Sequence, residues 1–512
     1  MEPVERHLFE ADRSFDGGDL DCGNGLLLLI RQHIDPLERG QLLEFRSTES
    51  SVEEDFPAWC RLTGNELVSL VRRGKERSFL VCKGTLGERR ASRPRVTWSA
   101  PPDAKILVVT VPATLPPPAP AASIPPLAVM GVGSWPRPRW MLQAIHDRIE
   151  GRLGEAEFDA TGDDATRLAV AAQLRAGVDV LTDGEQRRDN YASFVGSRLD
   201  NCQLIPLTDL LPLVDDPATF EAEMRSLDVP ASEVRHPAVF GALGRSRPLA
   251  VHELRFVQSL VDKPVKVALP GPYLLTRIMW MECISDRAYR SREHLAEDIV
   301  RVLREEIHFL LAAGAALVQL DEPVLSEVVF TGAKNTRTFM CGALSEKGDA
   351  LHELRFARDL VNRAVAGLPR ERLAVHLCRG NWTRDERAAL AGDYRPLLPL
   401  LQALDVGTYF LELATPRAGE IEVLADLPRD RRVGLGVVNQ KDDRVESVDE
   451  IRRRAERAMT IFGPERVLLT PDCGFATFAD SPVASAQVAE AKLRAIADAA
   501  AALHGARERR PA

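Results

Sequence analysis

The triplet His376-Leu377-Cys378 places an imidazole and a thiol two residues apart. On a β-strand, side chains at i and i+2 share a face, so both would point the same way. Glu412, in Leu411-Glu412-Leu413-Ala414, and Cys473, in Thr470-Pro471-Asp472-Cys473-Gly474, each close a short apolar run of their own. Together the four offer one nitrogen, two sulfurs and one carboxylate, a set that suits tetrahedral Zn2+. Such a centre would be anionic: a poor generator of hydroxide, but one that keeps sulfur electron-rich. A thiol entering in place of a labile Glu412 would be held as its thiolate, the form that attacks an alkyl carbon. The suggested chemistry is alkyl transfer to a substrate thiol. A lone buried cysteine is usually packing, so the reading depends on an element order that brings all four to one place.

That order is present. Eight short, β-branched-rich runs recur: Leu127–Gly133, Val178–Gly184, Pro264–Pro270, Ala315–Asp321, Arg372–Cys378, Thr408–Leu413, Arg432–Val438 and Arg466–Asp472. They are continuously apolar, as strands buried on both faces should be. Helix-period stretches lie between them, among them Asp298–Gly314, Leu351–Gly367 and Val448–Phe462. Parallel strands alternating with helices predict an α/β fold, a (β/α)8 TIM barrel over 127–512, with an insertion at about 200–260. Barrel active sites lie at the C-terminal strand ends. Those ends carry His376, Cys378, Glu412 and Cys473, and also Ser134, Glu185 and Asp321. Glu185 and Asp321 are a pair of acids fit for an amino-acid ammonium.

Upstream, residues 91–126 form a proline-rich linker, densest from Thr114 to Pro126 and expected to be an extended spacer, with Ile106–Val111 as a stray strand. Residues 1–90 read as a small α+β domain of order β-α-β-α-β-β, with Cys22 at the start of its first helix. A helix N-terminus stabilises a thiolate, which would favour sulfur exchange there.

The motifs Gly133-Ser134-Trp135-Pro136, Asp183-Gly184-Glu185-Gln186-Arg187-Arg188-Asp189, Pro270-Gly271-Pro272-Tyr273-Leu274-Leu275-Thr276, Gln319-Leu320-Asp321-Glu322-Pro323, His376-Leu377-Cys378, Leu411–Ala414 and Thr470–Gly474 resemble the catalytic barrel of cobalamin-independent methionine synthases. The resemblance implies Zn2+ on His376, Cys378, Glu412 and Cys473. It implies homocysteine as the thiol, with Ser134 at its carboxylate and Glu185 and Asp321 at its ammonium. The family's second, N-terminal barrel has no counterpart here. Its catalytic histidine after the seventh strand is replaced in Val438-Asn439-Gln440-Lys441-Asp442, where Lys441 falls nearest; at its ordinary pKa a lysine is a poor general acid near pH 7. The methyl donor is thereby left open between a methylated folate and a corrinoid protein, and the acceptor between homocysteine and another thiol such as coenzyme M. Residues 1–90, through Leu20–Leu26, Asp55–Cys60 and Thr63–Leu67, resemble the SirA/TusA sulfur carriers. That implies a persulfide on Cys22 and a sulfur-donor protein as partner, although the family's two motif prolines are Gly23 and Gly25 here.

Composition narrows the alternatives. Forty-five per cent apolar and 28% charged residues are globular values, and a net charge of −9 argues against a nucleic-acid or anionic-membrane partner. The longest candidate apolar run, Leu26–Ile30, is far short of a membrane span. The acidic N-terminus lacks a signal-peptide layout, and eight irregularly spaced cysteines do not make a disulfide framework. A cytoplasmic enzyme is expected. A sulfur-relay adaptor that binds a thiol without turnover is the competing reading; a decarboxylase-like barrel would not need the His, Cys, Glu and Cys set.

Overall fold

A computed structural model describes residues 4, 6–87, 110–206, 235–281, 285, 288–330, 349–381, 383–480 and 482–508. Most of the expected linker strand Ile106–Val111 lies outside these residues.

The small domain has the expected order. Strands β1 (Arg13–Asp16), β2 (Leu42–Ser47), β3 (Glu66–Arg73) and β4 (Glu76–Cys82) form one sheet in the order β1-β2-β4-β3. β1 and β2 are parallel and the other pairs antiparallel. Helices Leu27–Ile34 and Val52–Thr63 cover the sheet, the second stopped by Gly64 in the left-handed region at φ 69°. Leu26, Ile30, Phe45, Phe56 and Phe79 fill the space between.

Six parallel strands follow in the large domain: β7 (Lys266–Pro270), β8 (Leu317–Asp321), β9 (Leu373–Leu377), β10 (Thr408–Leu411), β11 (Arg432–Val438) and β12 (Val467–Pro471), each paired with the next. The first two expected strands are shorter. Val129 bridges Leu469, Met130 bridges Val180, and Leu181 bridges Val265, all in parallel, so these two segments close the ring between β12 and β7. Ala128, Met130, Val180, Leu317, Ala374, Phe410 and Leu468 plug the barrel interior. Outer helices include Arg292–Ala312, Ala350–Val365 and Val448–Phe462, the last opened by a capping box between Ser447 and Glu450.

Two expectations change. Within 200–260 the described chain is a hairpin of β5 (Asp200–Pro206) and β6 (Arg235–Gly244) followed by a barrel helix, Val251–Leu260. The proline-rich stretch is extended, but it is fastened to the barrel rather than free. The Ala119 amide donates to Leu311 O at 3.1 Å, His308 Nδ1 to Pro116 O at 3.0 Å, and Arg432 Nη1 to Ile124 O at 3.0 Å. Prolines have no amide to offer, yet their carbonyls and their neighbours' groups still bond. Among the described residues no helix is long and apolar enough to cross a membrane.

Glu306 pins the end of the hairpin to the barrel. Fully buried, it pairs with Arg245 and accepts the amides of Ala250 and Val251, at 2.7 and 2.8 Å, at the start of helix Val251–Leu260. Glu306→Ala would strand a buried guanidinium and two amides. It is expected to cost about 3–5 kcal/mol in chemical denaturation; a loss under about 1 kcal/mol would show that the pair contributes little.

Candidate active site

Strand ends converge as parallel barrel geometry requires. Ser134, Glu185, Asp321, His376, Cys378 and Cys473 line one pocket at the C-terminal mouth. All are buried. A ring nitrogen of His376 and the two sulfurs lie within 4.8 Å of one another. His376 Nδ1 is 2.9 Å from Asp321 Oδ1, which leaves Nε2 buried and with no hydrogen-bond partner. Burial lowers the His376 pKa, but the hydrogen bond and charge of Asp321 outweigh it and the net shift is upward. The Cys473 thiol donates toward Cys378 and pulls its pKa down to about 6, while Cys473 itself is held well above its ordinary value. Of the two thiols Cys378 is thus the more acidic, with Cys473 as its hydrogen-bond donor. A bare imidazole nitrogen beside two such sulfurs is a donor set that fits Zn2+.

Glu412 stands apart from this trio. One carboxylate oxygen accepts the Arg379 amide at 3.0 Å and the other meets the Arg417 guanidinium. The expected fourth ligand is therefore turned to the Arg379 amide and the Arg417 guanidinium, outside the cluster of His376, Cys378 and Cys473. Lys441 does not line the pocket either; its Nζ is buried with no hydrogen-bond partner. Burial, with help from Arg417, lowers its pKa to about 8, so the objection that lysine is too basic to act near neutral pH loses force. Glu185, which has a positive φ of 55°, has one oxygen with no hydrogen-bond partner and a pKa pushed up to about 7 by burial, with Asp321 and Asp183 adding to it.

Cys22 opens the first helix of the small domain within a single π turn, Cys22–Leu26, but its thiol belongs to the domain's core. Burial, Asp55 and Asp21 push its pKa up to about 12. The expected stabilisation of a thiolate by the helix start is overridden: desolvation and two carboxylates outweigh the dipole.

Several supporting residues escaped the sequence. Arg137 donates to Glu185 O at 2.7 Å and Ala476 O at 3.1 Å, tying the loops after the first, second and eighth strands. Asn381 donates to Gly474 O and Thr477 Oγ1, both at 2.7 Å, and accepts from Gln440 at 2.6 Å, tying the loops after β9, β11 and β12. Polar residues in loops carry no periodicity, so only their partners reveal them. Lys266 did carry a signal, as a charge inside the apolar run Pro264–Pro270.

Gly474 approaches Ser134 so closely that a Cβ would sit 2.2 Å from Ser134 Oγ and 3.1 Å from its amide nitrogen. Gly474→Ala is expected to leave the barrel folded and to lower turnover by up to about 10²-fold, since displacements of about 1 Å can cost that much. Unchanged kinetics would remove Ser134 from the site.

Fold and site define a TIM-barrel thiol methyltransferase of the methionine-synthase type. Residues 127–502 match the catalytic domain of the cobalamin-independent synthase family, and the chain belongs to that family. It is 26% identical over 352 residues to a methionine synthase of Sulfurisphaera tokodaii, covering 69% of this chain and 86% of the relative. A methionine synthase of Saccharolobus solfataricus is 25% identical over 354 residues, 69% of this chain and 89% of the relative. The fold also resembles that of a B12-independent methionine synthase from Shewanella sp. W3-18-1 in complex with selenomethionine, with a TM-score of 0.54, 22% identity, and 77% and 99% of the two chains covered.

Proposed function

We propose that this chain transfers a methyl group to homocysteine, giving methionine, with Zn2+ held by His376, Cys378 and Cys473, and by Glu412 once its carboxylate turns from Arg417. The observation that carries the reading is the buried cluster of His376, Cys378 and Cys473 at three strand ends, with an unpartnered imidazole nitrogen. When bound, the metal supplies charge that holds a substrate thiol as thiolate at neutral pH. The protein does the rest. Asp321 Oδ1 is occupied by His376, and its second oxygen joins Glu185 in receiving the substrate ammonium. Ser134, fixed through its Oγ by the Ala476 amide at 3.2 Å, receives the carboxylate. With the amino acid so anchored, its sulfur attacks the methyl carbon; the new S–C bond forms as the bond to the donor breaks, and the donor leaves with that electron pair. Lys441, in the place of the family's histidine, is the assigned proton donor to the departing group. We assign a methylated folate as donor.

For residues 1–90 we propose a sulfur-carrier module of the SirA/TusA type, supported by the β-α-β-α-β-β order. Its Cys22 would have to leave the core to accept sulfur from a donor protein.

Zinc K-edge absorption with and without homocysteine tests the main reading. Gain of a sulfur neighbour and loss of an oxygen or nitrogen is expected. A zinc shell that ignores homocysteine but answers coenzyme M would change the acceptor, and a metal-free protein would favour the sulfur-relay adaptor. Turnover with a methyl-corrinoid but not with methylated folate would change the donor.

A further inference from the structure

Beneath the pocket, inside the barrel, Lys266 is fully buried, with its ammonium 4.6 Å from the Phe410 ring centre. Its Nζ donates to Val132 O and to Gln319 Oε1. Gln319 Nε2 in turn donates to Asp321 Oδ1 at 2.6 Å, the same oxygen that meets His376 Nδ1.

We propose that Lys266 and Gln319 are positioning residues that set the tautomer of His376 and so present its Nε2 lone pair for metal binding. The argument follows the direction of each hydrogen bond. Lys266 Nζ donates to the Val132 carbonyl and has a second N–H for Gln319, which turns its oxygen to Lys266. The other end of that amide is then its NH2, which can only donate to Asp321. The Asp321 carboxylate can only accept, so the ring proton of His376 sits on Nδ1, and the Gln319 amide holds that oxygen against the ring. A neutral imidazole carries one such proton, and Nε2 is left bare. Outer partners fix the tautomer of ligating histidines in this way. Here the orientation is relayed from a charge two side chains further down, out of reach of any substrate. With an apolar side chain at 266, the Gln319 amide is free to turn its oxygen toward Asp321, which repels that carboxylate from Nδ1, and the ring proton is no longer confined there.

The inference rests on His376 being a metal ligand, as proposed above, but not on the identity of the thiol or methyl donor. It is tested on the metal-free full-length protein by two-bond 15N–1H correlation of histidine-labelled samples, with His376 assigned by its loss in His376→Gln. The wild type is expected to show the Nδ1–H form. Lys266→Met and Gln319→Leu are each expected to populate the Nε2–H form and to weaken Zn2+ binding about 10–100-fold in chelator competition. Leu468→Ala, a cavity in the same barrel interior, is expected to lower the Tm and leave both readings unchanged. A wild-type spectrum with the proton on Nε2 overturns the proposal without any variant, which keeps the test decisive if Lys266→Met does not fold. Variants that keep both the Nδ1–H form and the wild-type zinc affinity also overturn it. Correct tautomer and tight zinc without methyl transfer to homocysteine would leave this inference standing and remove the substrate assignment alone.

Discussion

Cys473→Ser is expected to fold as the parent does and to abolish methyl transfer together with bound zinc. Serine fills nearly the same buried volume, so the barrel has little reason to collapse. Its hydroxyl is a far weaker metal ligand than a thiolate, and the variant loses the thiol whose hydrogen bond lowers the Cys378 pKa. Zinc affinity should fall by more than the roughly 10–100-fold that loss of an outer partner costs, and turnover should fall with it. Metal content by mass spectrometry and turnover with homocysteine check the two halves. Full turnover in this variant would refute zinc-dependent thiol activation. Binding of homocysteine without turnover in the parent enzyme would instead favour the adaptor.

Asp321→Asn is expected to be nearly as severe, through two separate losses. His376 exchanges a carboxylate for an amide, whose NH2 can turn toward Nδ1 and shift the ring proton to Nε2; zinc affinity should fall about 10–100-fold. The substrate ammonium also loses an anionic acceptor, worth about 1.5–3 kcal/mol, or roughly 10–100-fold in apparent affinity at 1.4 kcal/mol per decade. Combined, kcat/KM should drop by about 10²–10⁴. Glu185→Gln makes the contrast. Glu185 has no bond to His376, so its loss should raise KM for homocysteine and leave zinc affinity alone. Equal zinc loss in the two variants would show that Asp321 does not orient the histidine.

The chemistry of the site was legible because barrel topology converts strand ends into one place. His376-Leu377-Cys378 and Cys473 could be read as neighbours although Cys378 and Cys473 lie 95 positions apart in the chain. Strand positions held for the same reason: a continuous apolar run admits few alternatives, and β11 and helix Val448–Phe462 fall on the expected residues. Orientation was not legible. Glu412 lies at its strand end as expected, yet Arg417 and the Arg379 amide decide where its carboxylate points, and neither arginine belongs to a strand-end motif. Cys22 shows the same limit. Helix position predicted an activated thiol, but Asp55 reaches it from the second helix, and burial against the aromatic core cannot be read from a local pattern. Lys441 moved the opposite way, since burial lowers the high pKa that made it look a poor general acid.

The two halves of the barrel wall are not equally built. The ladder from β7 to β12 carries His376, Cys378 and Cys473 at or just beyond its strand ends, whereas the segments leading to Ser134 and Glu185 join it through single bridges. Amide exchange should therefore be fastest along that seam, around Val129–Met130 and Val180–Leu181, and slowest in β9 and β10. The side with His376, Cys378, Cys473 and Asp321 would act as an anvil, set before anything arrives, while the side with Ser134 and Glu185 would be freer to breathe. Such a division would let one seam open without loosening the bonds between Asp321 and His376.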